Sequence, residues 1–412
     1  MKPRILFNAK DHPDLNSGYG IASRYLLPRL GDHYGRENIF IYAPVYQRDH
    51  VGEWDGMKVL PGVDWSFGEN MILQHYQNYD CNLLLQVGDA WPLGVLPDLA
   101  SQDKLLWVQW IPVDWLGMPK NIYYRIKPAY KLVPFTKYGE NALRKAGLPS
   151  VEPAIWLGLD TDLWKPMGRE EFPTLMRSLG YSWDSFNLLI VAANQIRKQV
   201  RPMLEGISIF RKLRPEVDVR LYLHSHLVGE RDLRADLDEL ELNEITAFPE
   251  PYILQQGGFE EDQMVKVFNC ADVVLNVCLE GFGLSQTQAQ ACGVPVLTLN
   301  EGPGPELVQF GIEIPVLAVD TAPQQFAQPL PNPAAIGAAL EDLWNRQVEN
   351  GAPLRSEAAA QFIRENFGWD KIASQWFGVI DRCMEDRVRY CLQIPSPSPD
   401  LDTRASKLVE VI

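Results

Sequence analysis

No apolar run in this chain approaches the 18 or so residues that a membrane-spanning helix requires. The longest apolar stretches, such as Leu188 to Ala193, are the length of strands. The opening MKPRILFNAKDHP holds too few apolar residues for a secretory signal core, so none is expected. Six cysteines (Cys81, Cys270, Cys278, Cys292, Cys383, Cys391) are scattered with no C-x-x-C pair. That argues against a disulfide or zinc framework and points to a reduced, cytoplasmic setting. Positive charge is short as well, with 38 Lys and Arg against 53 Asp and Glu, a net charge of −15. A nucleic-acid partner is therefore not expected, because phosphate backbones call for a positive surface.

What is present is a rhythm. Strand-sized apolar runs occur at Arg4 to Asn8, Ile39 to Ala43, Asn82 to Val87, Leu105 to Val113 and Lys131 to Phe135, with helical patterns such as Ile21 to Leu30 and Tyr138 to Lys145 between or after them. After a polar passage from Lys165 to Phe186 the rhythm restarts. Strands are expected at Asn187 to Ala193, Asp218 to His224, Asp272 to Val277 and Val294 to Leu299, with helices at Arg201 to Leu213, Glu260 to Cys270 and Leu284 to Ala291. Alternating strand and helix marks a parallel sheet covered on both faces. The 412 residues thus divide into two doubly wound α/β halves facing each other across a cleft. Helices follow at Ala334 to Val348, Glu357 to Asn366 and Asp370 to Cys391, and the Pro/Ser-rich end reads as an arm.

Ligands of parallel sheets gather beyond the carboxyl ends of the strands. Three loops there stand out. Asn16-Ser17-Gly18-Tyr19-Gly20 lies between the first strand and a helix, where glycines bring backbone N–H groups close to an anion. An ordinary strand-to-helix turn is the alternative reading. Asn194-Gln195-Ile196-Arg197-Lys198 sets two cations at a strand end, suited to a diphosphate or simply solvated. Most specific is Glu280-Gly281-Phe282-Gly283-Leu284-Ser285-Gln286-Thr287-Gln288, where two glycines open a helix and a carboxylate stands beside an anion site.

EGFGLSQTQAQACGVPVL resembles the donor-site motif of glycosyltransferase family 4, retaining sugar-nucleotide enzymes of the GT-B fold. VPFTKYGENALRKAG, WLGLDTDLWKP, NQIRK, SGYG and the closing FGWDKIASQWFGVI resemble further family segments in the family's order. The resemblance implies an acceptor-side domain over 1–168, a nucleotide-sugar domain over 169–369, a helix over 370–391 that crosses back onto the first domain, and an arm over 392–412. It implies that Lys198 neutralises the donor diphosphate, with Arg197 as its partner. The family's arginine usually stands five residues before the lysine, a position held here by Ala193, so Arg197 reaches from another angle or Asn194 substitutes. It also implies that Glu280 lies against the transferred sugar, that Gly281, Phe282, Gly283 and Leu284 serve phosphate and sugar, and that Gly18 and Gly20 flank the donor. The family's second glutamate, which holds the ribose, is replaced by Gln288. An amide keeps an acceptor oxygen but loses the charge-assisted part of that bond. Where many relatives carry a histidine, WVQWIPVDW puts Asp114, either a sugar-orienting or acceptor-side carboxylate or a helix cap.

The implied activity is a hexosyltransferase that moves a sugar from a nucleotide diphosphate to an acceptor hydroxyl with retention. No D-x-D pair stands where a metal-dependent transferase would use one, so no metal or other cofactor is expected. The alternatives are a non-catalytic sugar-nucleotide sensor or assembly partner, and a GT-B phosphorylase or epimerase. Eight tryptophans crowd the first half (Trp54, Trp65, Trp91, Trp107, Trp110, Trp115, Trp156, Trp164), and Trp110 and Trp115 are candidates for stacking on a saccharide, glycoside or lipid-linked acceptor, against a core role for most of the eight. Between 120 and 145, seven Lys and Arg face one acid, Glu140, which is either a solvated helix face or a contact for anionic lipid at a membrane's inner surface or for a phosphorylated acceptor. His224-Ser225-His226 lacks a third metal ligand and reads as a strand end beside the cleft.

Overall fold

The computed structural model describes residues 2–44, 50–62, 69–255, 258–320 and 326–389. Trp65, Cys391 and the arm at 392–412 lie outside the described residues. Leucine-rich and β-branched runs form strands with both faces covered. Val87 ends one such strand, LLLQV, in which all five residues are buried. Burial on both sides explains why these runs are continuously apolar rather than alternating.

The first sheet holds β1 (Ile5–Ala9), β2 (Ile39–Tyr42), β3 (Gly52–Trp54), β4 (Met57–Val59), β5 (Leu83–Val87), β6 (Trp107–Ile111) and β7 (Lys131–Pro134), in the order β3-β4-β2-β1-β5-β6-β7. All neighbours are parallel except the β3–β4 hairpin. Register is fixed on Ile5, which faces Ile39 on one side and Leu83 on the other. The second sheet holds β8 (Phe186–Val191), β9 (Val219–His224), β10 (Thr246–Ala247), β11 (Val273–Asn276), β12 (Val296–Leu299) and β13 (Gly311–Ile314), all parallel, in the order β10-β9-β8-β11-β12-β13. A hairpin of β14 (Val316–Asp320) and β15 (Gln328–Pro331) follows. The sequence rhythm missed β3, β4, β10 and β13–β15. Those strands have two to five residues each and lie at or next to sheet edges or in the separate hairpin, so their apolar signal is weak.

In each sheet the strand order reverses beside the first strand: at β1/β5 in one and at β8/β11 in the other. Loops on the two sides of such a point diverge and leave a crevice. Helix 369–389 packs against the first sheet's domain. The Trp376 ring meets Trp110 edge-on at 5.0 Å, Tyr34 donates to Asp381 at 3.0 Å, and Tyr130 donates to Asp386 at 2.8 Å. No helix of the described residues is long and apolar enough to cross a membrane.

Candidate functional site

Both crevices open into one cleft of about 1000 Å³. Its first wall carries Lys10, Asp11 and Ser17–Tyr19 beyond β1, Asp89 beyond β5, and Pro112 and Asp114 beyond β6. The opposite wall carries Arg197 and Lys198 beyond β8, His224–His226 at the end of β9, and Glu280–Ser285 beyond β11. The walls touch. A Cβ on Gly281 would lie 2.4 Å from Pro112 Cβ, and Gly18 and Leu284 are in van der Waals range.

The short 3₁₀ turn Ile196–Lys198 turns both cations toward the loop after β11. Lys198 Nζ donates to Glu280 Oε2 at 2.5 Å, and Arg197 Nη1 lies 4.0 Å from the same oxygen. Asn276, at the end of β11, donates to Glu280 Oε1 at 3.3 Å and also bonds the Ser285 hydroxyl. The carboxylate is thus held from both sides. Burial pushes the Glu280 carboxyl up, but Lys198 and Arg197 with the Lys198 and Asn276 hydrogen bonds outweigh it, leaving the group below the usual range. Helix Leu284–Ala291 starts at Gly283, whose φ of +109° suits glycine and leaves the first N–H groups facing the loop. Gln288 lines the cleft from this helix.

Arg197 also reaches across the cleft to Asp114 Oδ2 at 3.4 Å. The Asp114 backbone oxygen accepts from Gln328 Nε2 at 2.9 Å, which ties the β15 hairpin to the first wall. Burial raises the Asp114 carboxyl; Arg197 and Lys198 only partly offset this, and Glu280 adds to it. Asp89, hydrogen bonded by Tyr19, is pushed up to about 6 by burial and by Asp114. Burial and the neighbouring His226 push His224 down to about 4, so its ring is neutral near pH 7.

The structure brings together Glu280, Asp114, Arg197, Lys198, Gly281, Phe282, Gly283, Leu284, Gln288 and Gly18 on one cleft. Four expectations need correcting. Asn194 is not a substitute cation partner: its amide bonds the backbone oxygens of His226 and Arg231 and accepts from Arg231 N, so it holds a neighbouring loop. Gly20 has no space beside it, since a Cβ there would meet Leu15 O at 2.2 Å, so it packs its own loop instead of facing a ligand. Trp110 and Trp115 are 0% and 1% exposed. Trp110 sits between Phe135 and Trp376 with its indole N–H on Ile155 O, and Trp115 packs against Phe326. Trp110 lies in a strand covered on both faces and Trp115 is packed just beyond its end, so neither ring offers a face to an acceptor. Among the described residues, the exposed tryptophan on the cleft is Trp91. Sequence reasoning also missed Asp89, although it lies two residues past a strand end. Gly88 at φ +147° sets the turn that delivers it.

Residues 185–332 match the family model described as glycosyl transferases group 1. The chain is 27% identical over 220 residues to a D-inositol 3-phosphate glycosyltransferase of Paenarthrobacter aurescens, covering 53% of this chain and 48% of that protein. The match thus spans about half the length of this curated relative. Among solved structures, the fold matches a sucrose-phosphate synthase from Thermosynechococcus elongatus with TM-score 0.72 and 15% identity, over 94% of this chain and 100% of that one. Anabaena HepE in complex with UDP-glucose matches with TM-score 0.67 and 15% identity, over 92% of this chain and 99% of that one. The architecture is GT-B, and the chain carries the glycosyl transferases group 1 segment in its second half, which bears out the family resemblance of its motifs.

Proposed function

We propose that this chain is a retaining glycosyltransferase that uses a nucleotide-diphosphate sugar and needs no metal. The carrying observation is the convergence of Lys198, Arg197 and Glu280 with the glycine-started helix 284–291 at the β8/β11 switch point. Two cations and a helix N-terminus make a diphosphate site whose charge is met by protein groups alone. HepE, the neighbour of like fold, holds UDP-glucose. The donor side is assigned to 169–369, and the acceptor side to 1–168 together with the helix at 370–391.

In this reading the diphosphate displaces the Glu280 carboxylate from Lys198 and the Asp114 carboxylate from Arg197. Glu280 then lies against the sugar, and Gln288 holds the ribose through its amide. The bond from the anomeric carbon to the diphosphate breaks while the acceptor oxygen adds on the same face. The acceptor proton leaves on the departing phosphate oxygen. Asp114, freed from Arg197, orients the acceptor hydroxyl. Closure of the two walls excludes water and limits donor hydrolysis. Lys131 pairs with Glu152 and Arg144 with Glu140, so part of the positive charge in 120–145 is already neutralised; a peripheral membrane contact there is the weaker use of that stretch.

A thermal-shift screen against UDP, GDP and ADP and their glucose, mannose and N-acetylglucosamine conjugates, with and without magnesium or chelator, tests the donor site. A shift insensitive to chelator, followed by nucleotide release that Glu280→Ala abolishes, is the expected result. Binding without release in any acceptor mixture overturns the transferase in favour of a sensor. Release that requires inorganic phosphate would mark a phosphorylase, and conversion without an acceptor an epimerase.

A further inference from the structure

A second, far smaller cavity opens where β1 and β5 diverge. Its volume is about 10 Å³, room for one water-sized group. It is lined by Asn8, Glu69 and Gln86 and shares Lys10, Tyr19 and Asp89 with the main cleft. Two of its lining residues carry buried acceptor oxygens without a hydrogen-bond partner, Asn8 Oδ1 and Glu69 Oε1. Asn8 is 1% exposed and Glu69 7%. Glu69 cannot turn away, because its other oxygen accepts from Gly94 N at 2.6 Å and Val95 N at 2.5 Å, at the turn that opens helix Leu96–Ser101. Asn8 is likewise held, with its amide N–H on Gln86.

Two fixed, buried acceptors call for donors, since an unmet buried acceptor has lost its water without compensation. The charges at the rim narrow the choice. Lys10 disfavours a cation, and Glu69 and Asp89 disfavour an anion. A neutral O–H donor fits both. Resting on the transferase reading above, we propose that this cavity, with Asp89 at its mouth, seats a hydroxyl of the acceptor, and that the acceptor is a neutral sugar or polyol. Trp91, exposed on the same wall, adds aromatic surface beside this cavity. Asp89, raised by its surroundings, accepts from a hydroxyl when ionised and donates to one when protonated.

Two readouts test this on the whole chain. Saturation-transfer NMR measures binding of glucose, fructose and myo-inositol, and of their monophosphates, without turnover. Nucleotide release with UDP-glucose as donor measures transfer to the same set. Neutral sugars are expected to bind at least tenfold more tightly than their phosphates. Glu69→Gln keeps an oxygen for the two backbone N–H groups but turns an N–H₂ into the cavity, and should weaken sugar binding at least tenfold. Asp89→Asn, at the rim, should weaken it several-fold and serves if the first variant does not fold. The proposal is overturned if neutral sugars do not bind, if the phosphates bind better, or if both variants bind sugar like the parent, as they would were the cavity a water site only. Should the variants lose sugar binding while no nucleotide sugar binds or reacts, the cavity assignment stands and the transferase reading fails.

Discussion

The two halves of this molecule share one design and present different chemistry to the same cleft. Each is a wound parallel sheet that reverses strand order beside its first strand, and each aims strand ends at its counterpart. The first wall delivers Asp11, Asp89 and Asp114 beside Lys10; the second delivers Arg197, Lys198 and a glycine-started helix around Glu280. Topology decides where a ligand can sit, and the loop residues decide which ligand. The contact of Arg197 with Asp114 shows the complementarity directly, with the acid of one wall resting on a cation of the other.

The most damaging way to break this division is on the cationic wall. Lys198→Ala should lower turnover by at least a hundredfold, read as initial nucleotide release, because it removes leaving-group charge stabilisation and strands Glu280 in a buried site. On the acidic wall, Asp114→Asn should separate two quantities. Nucleotide diphosphate binding should tighten several-fold as Arg197 loses its competitor, while turnover falls at least tenfold; calorimetry and initial rates distinguish them.

Smaller effects lie in the pH dependence of stability. His224 is pushed down to about 4 in the folded protein, so the unfolded chain takes up a proton first as pH falls below about 6.5. Stability is therefore present above pH 6.5 and lost toward pH 4, a loss of about 3 kcal/mol, and His224→Gln should flatten the fall in Tm over that window. Asp89 has the opposite sense. Its folded value of about 6 exceeds the unfolded one, so its contribution is full below pH 4 and lost as pH rises through 6. Asp89→Asn should then raise stability at pH 7.5 by about 3 kcal/mol and change it little at pH 4. An equal Tm change at both pH values would show that burial of Asp89 has no such consequence.

Much of this arrangement was legible in the chain. Continuous apolar runs announced the covered parallel strands, and Glu280-Gly281-Phe282-Gly283 announced a helix start next to a carboxylate, because glycine spacing and strand-end position are local properties. Helix Leu284–Ala291 has the expected limits, and Lys198 meets Glu280. Local pattern could not tell Trp110 from Trp91. Both are aromatic and close to strand ends, and only the packing of helix 369–389 over β6 decides that one is core and the other exposed. Nor could it tell Asn194, bonded to a loop more than 30 residues away, from the cations that follow it.

The sequence by itself determined the two wound halves, the glycine-opened helix and the cationic strand end, since each follows from backbone conformation and the order of apolar residues. Tertiary structure alone decided that Asp89 and Asp114 stand together opposite Arg197, and that Asn8 and Glu69, 61 positions apart, share a cavity. Such charges and orphaned oxygens come from chain segments distant in sequence. What they bind is set by the space left between them, and that space exists only once both sheets are folded.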